Sequence, residues 1–407
     1  MLSSKFSGEK AFEFLKEIDF PRRTGSVGNK KAFEIITEKL EKFGYKIEVN
    51  KFRYTHSYVR ELLLYKLGIT IFFFLTAFLA LIAYWSDPIS KIIFLLISII
   101  SAIITIILLL FNFFNRINHY LKEKFLEELP SEETYELPEA SNIIIEKRPK
   151  KKSDLHVIIG AHYDSISINF NFLFYTIIYL ISGIGTLFVS VYYIFLDIFL
   201  IGSTSITMIN YGIIIGLILS SVVSVSLLCW LNVKLKNESH GASDNGSGVS
   251  ILIELARILK DFELNFNLTL IFFGVEEEGL LGSINYIKSN LEQFKKEKIM
   301  MISLDTLGTS GKLKYASGHG LKKKYSPELI KKLKEAADQV NIKITPQWLP
   351  YPSSDHAPFV FHNISATQIF KNLTIANTVQ DTIDRIDINS LEETGKILVQ
   401  FLMNLNT

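Results

Sequence analysis

Five short polar stretches carry the residue types that hold metal ions or move protons. They are "GAHYDS" around His162 and Asp164, "GASDNGSG" around Asp244, "VEEEGLLGS" with Glu276, Glu277 and Glu278, "SLDTLG" around Asp305, and "YPSSDHAPF" with Asp355 and His356. Several directly follow a short apolar run: "VIIGA" precedes His162, "LIFFG" the glutamates and "MMISL" Asp305. Sites in α/β proteins lie where such strands end. Each stretch alone also has a plain structural reading. Asp244 could cap a helix starting near Gly246, the glutamates could form a solvated turn, and a lone histidine could be a hydrogen-bonding residue. Together they resist that reading, because carboxylates gathered at one sheet edge repel one another unless cations sit among them. Mixed imidazole and carboxylate ligands suit zinc, which leaves positions open for water and substrate.

The elements that must position these residues follow from periodicity. Phe33, Ile36, Leu40 and Phe43 recur at helical spacing, Gly44 ends that helix, and "YKIEVNKF" alternates as a strand. "NIIIE" and "LHVIIGAH" are short β-rich runs, the second continuously apolar as in a sheet covered on both faces. Further on, "GVSILIELARIL", "GSINYIKSNL", "SPELIKKLKEAADQV" and "SLEETGKILVQFLMNL" read as helices, with "LTLIFFG" and "KIMMISL" as strands among them. Such alternation predicts an α/β fold with a mixed, largely parallel sheet flanked by helices.

The chain of 407 residues is 48% hydrophobic with a mean hydropathy of +0.27, and the excess lies in four runs. Leu67–Ser86, Ile92–Asn115, Ile166–Leu196 and Ile198–Val233 are charge-free or nearly so, and each is long enough for a spanning helix. Two transmembrane hairpins are therefore expected at 61–116 and 166–233. They would interrupt one catalytic domain built from 1–60, 117–165 and 234–407. Loops tolerate such insertions because closure entropy grows only logarithmically with length. Separate domains of about 50 residues would have marginal cores.

The single cysteine, Cys229, lies in the fourth run, so no internal disulfide can form. The first residues lack the apolar core of a signal peptide. Lys51, Arg53, Arg60, Arg116, Lys122, Lys124, Lys234 and Lys236 flank the runs on the domain side against Lys91 on the other, which predicts a cytoplasmic catalytic domain in a multi-pass membrane protein. A net charge of +2 argues neither for nor against nucleic acid. The apolar runs make the lipid bilayer an expected partner, and no nucleic acid is expected.

The five stretches, in this order and with "FPRRTGSVGNKKA" near the start, resemble the dizinc exopeptidase family of bacterial leucyl aminopeptidases and aminopeptidase Y. The resemblance implies two zinc ions, with cobalt or manganese as substitutes. His162 and Asp305 would hold one, Glu277 and His356 the other, and Asp244 would bridge them. Glu276 would be the general base, taking a proton from the attacking water and passing it to the leaving amine. Asp164 would orient the His162 ring by accepting its other N–H. The resemblance also implies a cis peptide bond between Asp244 and Asn245, and a membrane-anchored aminopeptidase that removes N-terminal residues. One departure is plain: His162 and Asp244 are separated by the whole second apolar segment. Rival functions are a carboxypeptidase or a glutaminyl-cyclase-like acyltransferase on the same fold, a non-catalytic membrane scaffold, and a transporter. The last is disfavoured by the scarcity of ionisable residues in the runs.

Overall fold

A computed structural model describes residues 2–55, 86–113, 139–169, 181–202, 206–229, 234–320, 323–349 and 352–406, with isolated positions between 68 and 82 and between 174 and 180. It divides into two compact units, one of residues 1–55, 122–168 and 235–407, the other of 56–121 and 169–234.

The first unit is built on strands β1 (Ile47–Arg53), β2 (Glu139–Lys147), β3 (Leu155–His162), β4 (Ser167–Ile168), β5 (Leu235–Lys236), β6 (Asn267–Phe273), β7 (Lys298–Leu304), β8 (Leu313–His319), β9 (Lys323–Lys324), β10 (Ile344–Leu349) and β11 (Ser365–Phe370). Nine of these form one sheet in the order β1-β2-β6-β3-β7-β11-β8-β10, with β9 on β8, while β4 pairs with β5. The four central strands, β6, β3, β7 and β11, run parallel, and antiparallel pairs β1/β2, β2/β6, β11/β8 and β8/β9 extend the sheet outward. The mixed, largely parallel sheet expected from the sequence is thus present, with its longest parallel run central and a further parallel pair, β8/β10, at one edge. β3 explains why: Val157–His162 are all buried, as a strand covered on both faces must be. Gly160 is required there, since a Cβ would come within 2.4 Å of the Phe273 ring.

Helices α1 (Gly8–Glu17) and α2 (Val27–Lys42) precede the sheet, capped by Ser7 and Ser26, whose hydroxyls accept from the backbone N–H of Lys10 and Asn29. One face of the sheet packs on a large core. It includes Phe14, Ile18, Val157, Ile159, Leu252, Leu255, Ile302 and Leu398, all nearly or fully buried. The other face packs Ile158, Ile271, Phe273, Met301 and Phe359.

The second unit contains α3 (Pro88–Phe113), α4 (Thr186–Gly202) and α5 (Ile206–Cys229). Leu95, Val189, Tyr193, Leu196, Ile213, Val223 and Leu227 form its core, whereas Ile92, Ile93, Leu96, Ile100, Phe188, Phe195, Ile214 and Ile218 are exposed. Glycines let α4 and α5 approach closely: a Cβ on Gly212 would lie 2.6 Å from Leu196, and one on Gly216 2.9 Å from the Tyr193 hydroxyl. Pro88–Ile107 and Asn210–Cys229 are long and apolar enough to cross a membrane, and Thr186–Phe199 is a shorter apolar helix. Among the described residues only the first two of these helices reach that length, so four full spans are not seen there. The third run is interrupted at Ile181–Gly185 by a π-helical turn carrying two glycines, so α4 begins only at Thr186. Most of the first run, Leu67–Ser86, lies outside the described residues.

Candidate metal centre

Adjacent strands deliver the chemical residues to one edge. His162 is the last residue of β3, Asp305 follows β7 directly, and Glu276 and Glu277 lie in the turn after β6. The Asp305 backbone N–H donates to Ile369 at 3.1 Å, which fixes it beside β11. The glutamate turn is tight. Val275 and Leu280 have φ of 56° and 64°, and Gly279 N and Leu280 N both donate to the Glu276 carbonyl, at 2.8 and 2.7 Å.

Asp244 sits in the turn Ala242–Gly246 that leads into α6 (Ser247–Leu259). The Asn245 side chain donates to Leu304 O at 2.7 Å and accepts from Gly248 N at 3.0 Å, tying this turn to the end of β7. The peptide bond between Asp244 and Asn245 is cis. The backbone N–H groups of Ser243 and Asp244 both donate to the Asp381 carboxylate, at 2.7 and 2.8 Å.

The result is a ring of oxygens around one imidazole. His162 Nε2 lies 3.3 Å from Asp244 Oδ1, 3.7 Å from Asp305 Oδ1 and 3.8 Å from Glu276 Oε2. Two overlapping groups have ligand atoms all within 4.8 Å of one another: His162, Glu276 and Asp305, and His162, Asp244 and Glu277. His162 Nδ1 meets the Asp164 main-chain oxygen at 3.2 Å. The Asp164 carboxylate accepts instead from Glu276 N, Glu277 N and the Thr24 hydroxyl, each at 3.2 Å. Asp164 thus steadies the imidazole with its main chain and the glutamate turn with its side chain.

Burial is the largest influence on every group here. It pushes Glu276 and Glu277 well above the ordinary carboxylate range, and neighbouring carboxylates add to the rise. Asp244 is raised for the same reason, although His162 opposes the shift. Burial also disfavours charge on His162, yet Glu276, Asp164, Asp244 and Asp305 outweigh it and hold the ring well above 6.5. Asp305 is the exception: burial would raise it, but the His162 and Thr306 contacts bring it down.

Among the described residues no lysine or arginine side chain forms an ion pair with Asp244, Glu276 or Asp305. The buried Arg22 donates to the carbonyls of Ile18, Phe20, Tyr163, His240 and Gly241, stitching the surrounding loops together. Arg23 pairs with Glu278 at 2.7 Å. Lys371 pairs with Glu393 at 3.0 Å. A buried imidazole gathered with several carboxylates matches the nitrogen and oxygen donors that zinc takes. The residues present fit a metal ion.

His356 stands outside both groups. Its Nε2 is 3.1 Å from the Tyr325 hydroxyl, which in turn is 3.2 Å from His319 Nδ1. Burial, then His319, depress its pKa to about 3. The preceding Asp355 is buried, and its carboxylate has no hydrogen-bond partner among the described residues. Burial raises it to about 7. Asn377 and Asp381 belong to the site and were not foreseen. With its NH2 turned toward Glu277, the Asn377 amide donates at 2.8 and 3.1 Å to the two carboxylate oxygens. Both residues follow β11, so examining that strand end as the others were examined would have found them.

Comparison with known proteins finds peptidases among the proteins this chain resembles. Aminopeptidase YwaD of Bacillus subtilis is 44% identical over 72 residues, 18% of this chain and 16% of the relative. A probable leucine aminopeptidase of Arthroderma benhamiae is 30% identical over 189 residues, 43% of this chain and 50% of the relative. The chain thus spans half or less of the length of these relatives. Among solved structures, BSAP, a zinc aminopeptidase from Bacillus subtilis, superposes with a TM-score of 0.56 at 15% identity, covering 98% of this chain and 95% of that one. A Bacteroides thetaiotaomicron glutaminyl cyclase bound to N-acetylhistamine gives a TM-score of 0.53 at 16% identity over 98% of both. These likenesses fix the fold. Residues 224–402, which contain Asp244, Glu276, Glu277, Asp305 and Asp381, match the family model of Peptidase family M28.

Proposed function

We propose that the chain is a metal-dependent aminopeptidase anchored in a lipid bilayer by its apolar unit. The observation that carries this reading is the buried His162 ring faced by Asp244, Glu276 and Asp305. The match to Peptidase family M28 and the likeness to a zinc aminopeptidase support the reaction class.

His162 and Asp305 would hold one zinc ion, Asp244 would be shared, and Glu277 would hold a second. Bound zinc would supply Lewis acidity toward a carbonyl. The other duties fall to the protein. Glu276, adjoining the ring without being needed to hold it, is the proton carrier: it takes the proton of the attacking water and returns it to the leaving amine. A carboxyl held well above its ordinary range suits that exchange near neutral pH. Asp164 fixes the glutamate turn by accepting from the backbone N–H groups of both Glu276 and Glu277. Peptide is the substrate class. The exposed apolar faces of α3 and α5 and the lysine and arginine excess beside the runs support a bilayer anchor with the catalytic unit in the cytoplasm.

Aminoacyl-amide and peptide substrates with free and acetylated N-termini, assayed before and after chelation, test this. Metal-dependent release of the first residue from free N-termini alone is the expected result. The likeness to a glutaminyl cyclase favours a second reading, closure of an N-terminal glutamine on its own amine. Pyroglutamate without hydrolysis of other N-termini would replace the first reading with that one.

A further inference from the structure

Among the described residues of the catalytic unit, the three most exposed large apolar side chains are Val27, Val379 and Leu373, at 88%, 58% and 43%. A single exposed valine is ordinary. The distribution of these three is less so. Each lies on a segment hydrogen-bonded to the ribbon of β4 and β5, through which the chain leaves the catalytic unit for the apolar one and returns. Ile168 of that ribbon is already inside the third apolar run, and Leu235 is two residues beyond the end of the fourth.

On one strand, Ile168 N donates to Asn377 O at 3.1 Å, in the loop that carries Leu373 and Val379. Residues 372–380 of that loop, "NLTIANTVQ", include no charged side chain. On the other strand, Leu235 O accepts from the Arg23 guanidinium and the Asn237 side-chain oxygen from Arg23 N, each at 2.9 Å. Four positions after Arg23 comes Val27, the first residue of α2. Lys234 and Lys236 are exposed on this strand, and Lys236 also meets Glu238 at 3.2 Å. The loop after β11 belongs to the metal centre as well, through the Asn377 amide on Glu277 and the Asp381 carboxylate on the backbone of Ser243 and Asp244. One loop therefore touches the ribbon and a candidate ligand while it exposes apolar side chains.

We propose, building on the bilayer-anchored peptidase reading, that Val27, Leu373 and Val379 lie in the headgroup layer of an anionic membrane, and that the centre acts on peptides held at that surface. Continuity of the chain favours lipid over a protein partner, because both ends of the ribbon pass into the apolar runs within two residues. Exposed apolar side chains on an uncharged loop enter the headgroup layer without burying a charge, and Lys234 and Lys236 complement anionic headgroups. A peptide with an apolar segment behind a free N-terminus partitions into the same layer and meets the centre at a raised effective concentration. A polar peptide must arrive from water.

The test is site-specific fluorescence of the full-length chain in vesicles of phosphatidylcholine and phosphatidylglycerol. On a Cys229→Ser background, Val27→Cys, Leu373→Cys and Val379→Cys each carry one nitrobenzoxadiazole label. Lipids with a nitroxide near the headgroup should quench all three, and also a label at Ile214→Cys on α5. A label at Lys152→Cys, exposed ahead of β3 at the end of that strand away from the ribbon, should stay bright. Quenching at Ile214 without quenching at Leu373 and Val379 would overturn the proposal. Protection of these labels from aqueous iodide without lipid quenching would overturn it too, in favour of a second copy of the chain. No quenching at Ile214 would remove the bilayer-anchored reading and the proposal together. In kinetics, the double variant Leu373→Asp, Val379→Asp should turn over a lipid-anchored peptide about tenfold more slowly, a ratio that the burial of one aliphatic side chain supports. A soluble peptide with the same N-terminal residues should be cleaved at the parental rate, and parental zinc content reports that the variant is folded. Equal slowing on both peptides would overturn the substrate preference. Lipid quenching in a protein that cleaves no peptide would remove the peptidase reading and leave the membrane surface standing. Peptide turnover without lipid quenching at the loop would remove this inference alone.

Discussion

His162 and His356 are both almost wholly buried in the same unit, His162 at the end of an apolar strand and His356 after the short polar run "SSD". Their surroundings push them in opposite directions. His162 faces Asp244, Glu276 and Asp305 and is held protonated well above its ordinary range. His356 is enclosed with Tyr325 and His319 and is depressed to about 3. One ring is a proton that a divalent cation can displace. The other is a neutral link in a hydrogen-bonded chain of rings. Burial alone therefore says little about a histidine's role; the charge that burial traps beside it says more.

The sharpest way to press this contrast is through the proton carrier. Glu276→Gln should lower turnover by about 10²–10⁴-fold while metal content stays at the parental level, because general acid–base catalysis is worth about that much. Metal loss in this variant would mean that Glu276 is a ligand instead. Next in size is Asp381→Ala, which frees the Asp244 turn from its two backbone bonds. Loss of such outer support typically costs about 10–100-fold in metal affinity, to be read by competition with a chelating dye.

The acidic side of the contrast has a pH signature. Glu276, Glu277, Asp244 and Asp355 titrate higher in the folded chain than in the unfolded one, with Asp355 near 7. The folded state then binds more protons, so stability conferred by these groups is lost as pH rises from about 4 toward and beyond 7. His162 acts in the same direction, losing its contribution as pH passes its raised folded value. Asp305, which is lowered, matters only in more acid solution. The metal-free protein should accordingly melt at lower temperature at pH 8 than at pH 5.5, and saturating zinc should flatten or reverse that slope. A metal-free melting temperature that rises over this interval would contradict the account. Smallest is Tyr325→Phe, which removes one hydroxyl between two buried histidine rings. Denaturant unfolding should show a loss of about 0.5–1.5 kcal/mol, with zinc affinity unchanged.

Much of this was legible from strand ends. His162, Asp244, Glu276, Glu277 and Asp305 all follow apolar runs or open a helix, and the sheet brings them together because β6, β3 and β7 are neighbours. The strands Leu313–His319, Ile344–Leu349 and Ser365–Phe370 were not expected, since they are short and carry polar residues. Missing β11 meant missing Asn377 and Asp381, whose loop contains no histidine to draw attention. The motif around His356 could not disclose its neighbour Tyr325, 31 positions away, whose hydroxyl lies 3.1 Å from Nε2. In the apolar runs, absence of charge signalled helices but could not reveal the π-helical break at Ile181–Gly185, which depends on local backbone geometry.

The measurement that bears most directly on the central contrast is the zinc content of two variants purified alongside the parent, His162→Gln and His356→Gln. The account predicts that His162→Gln loses zinc and His356→Gln keeps it at the parental equivalent. Retention of zinc by His162→Gln, or its loss from a folded His356→Gln, would contradict it.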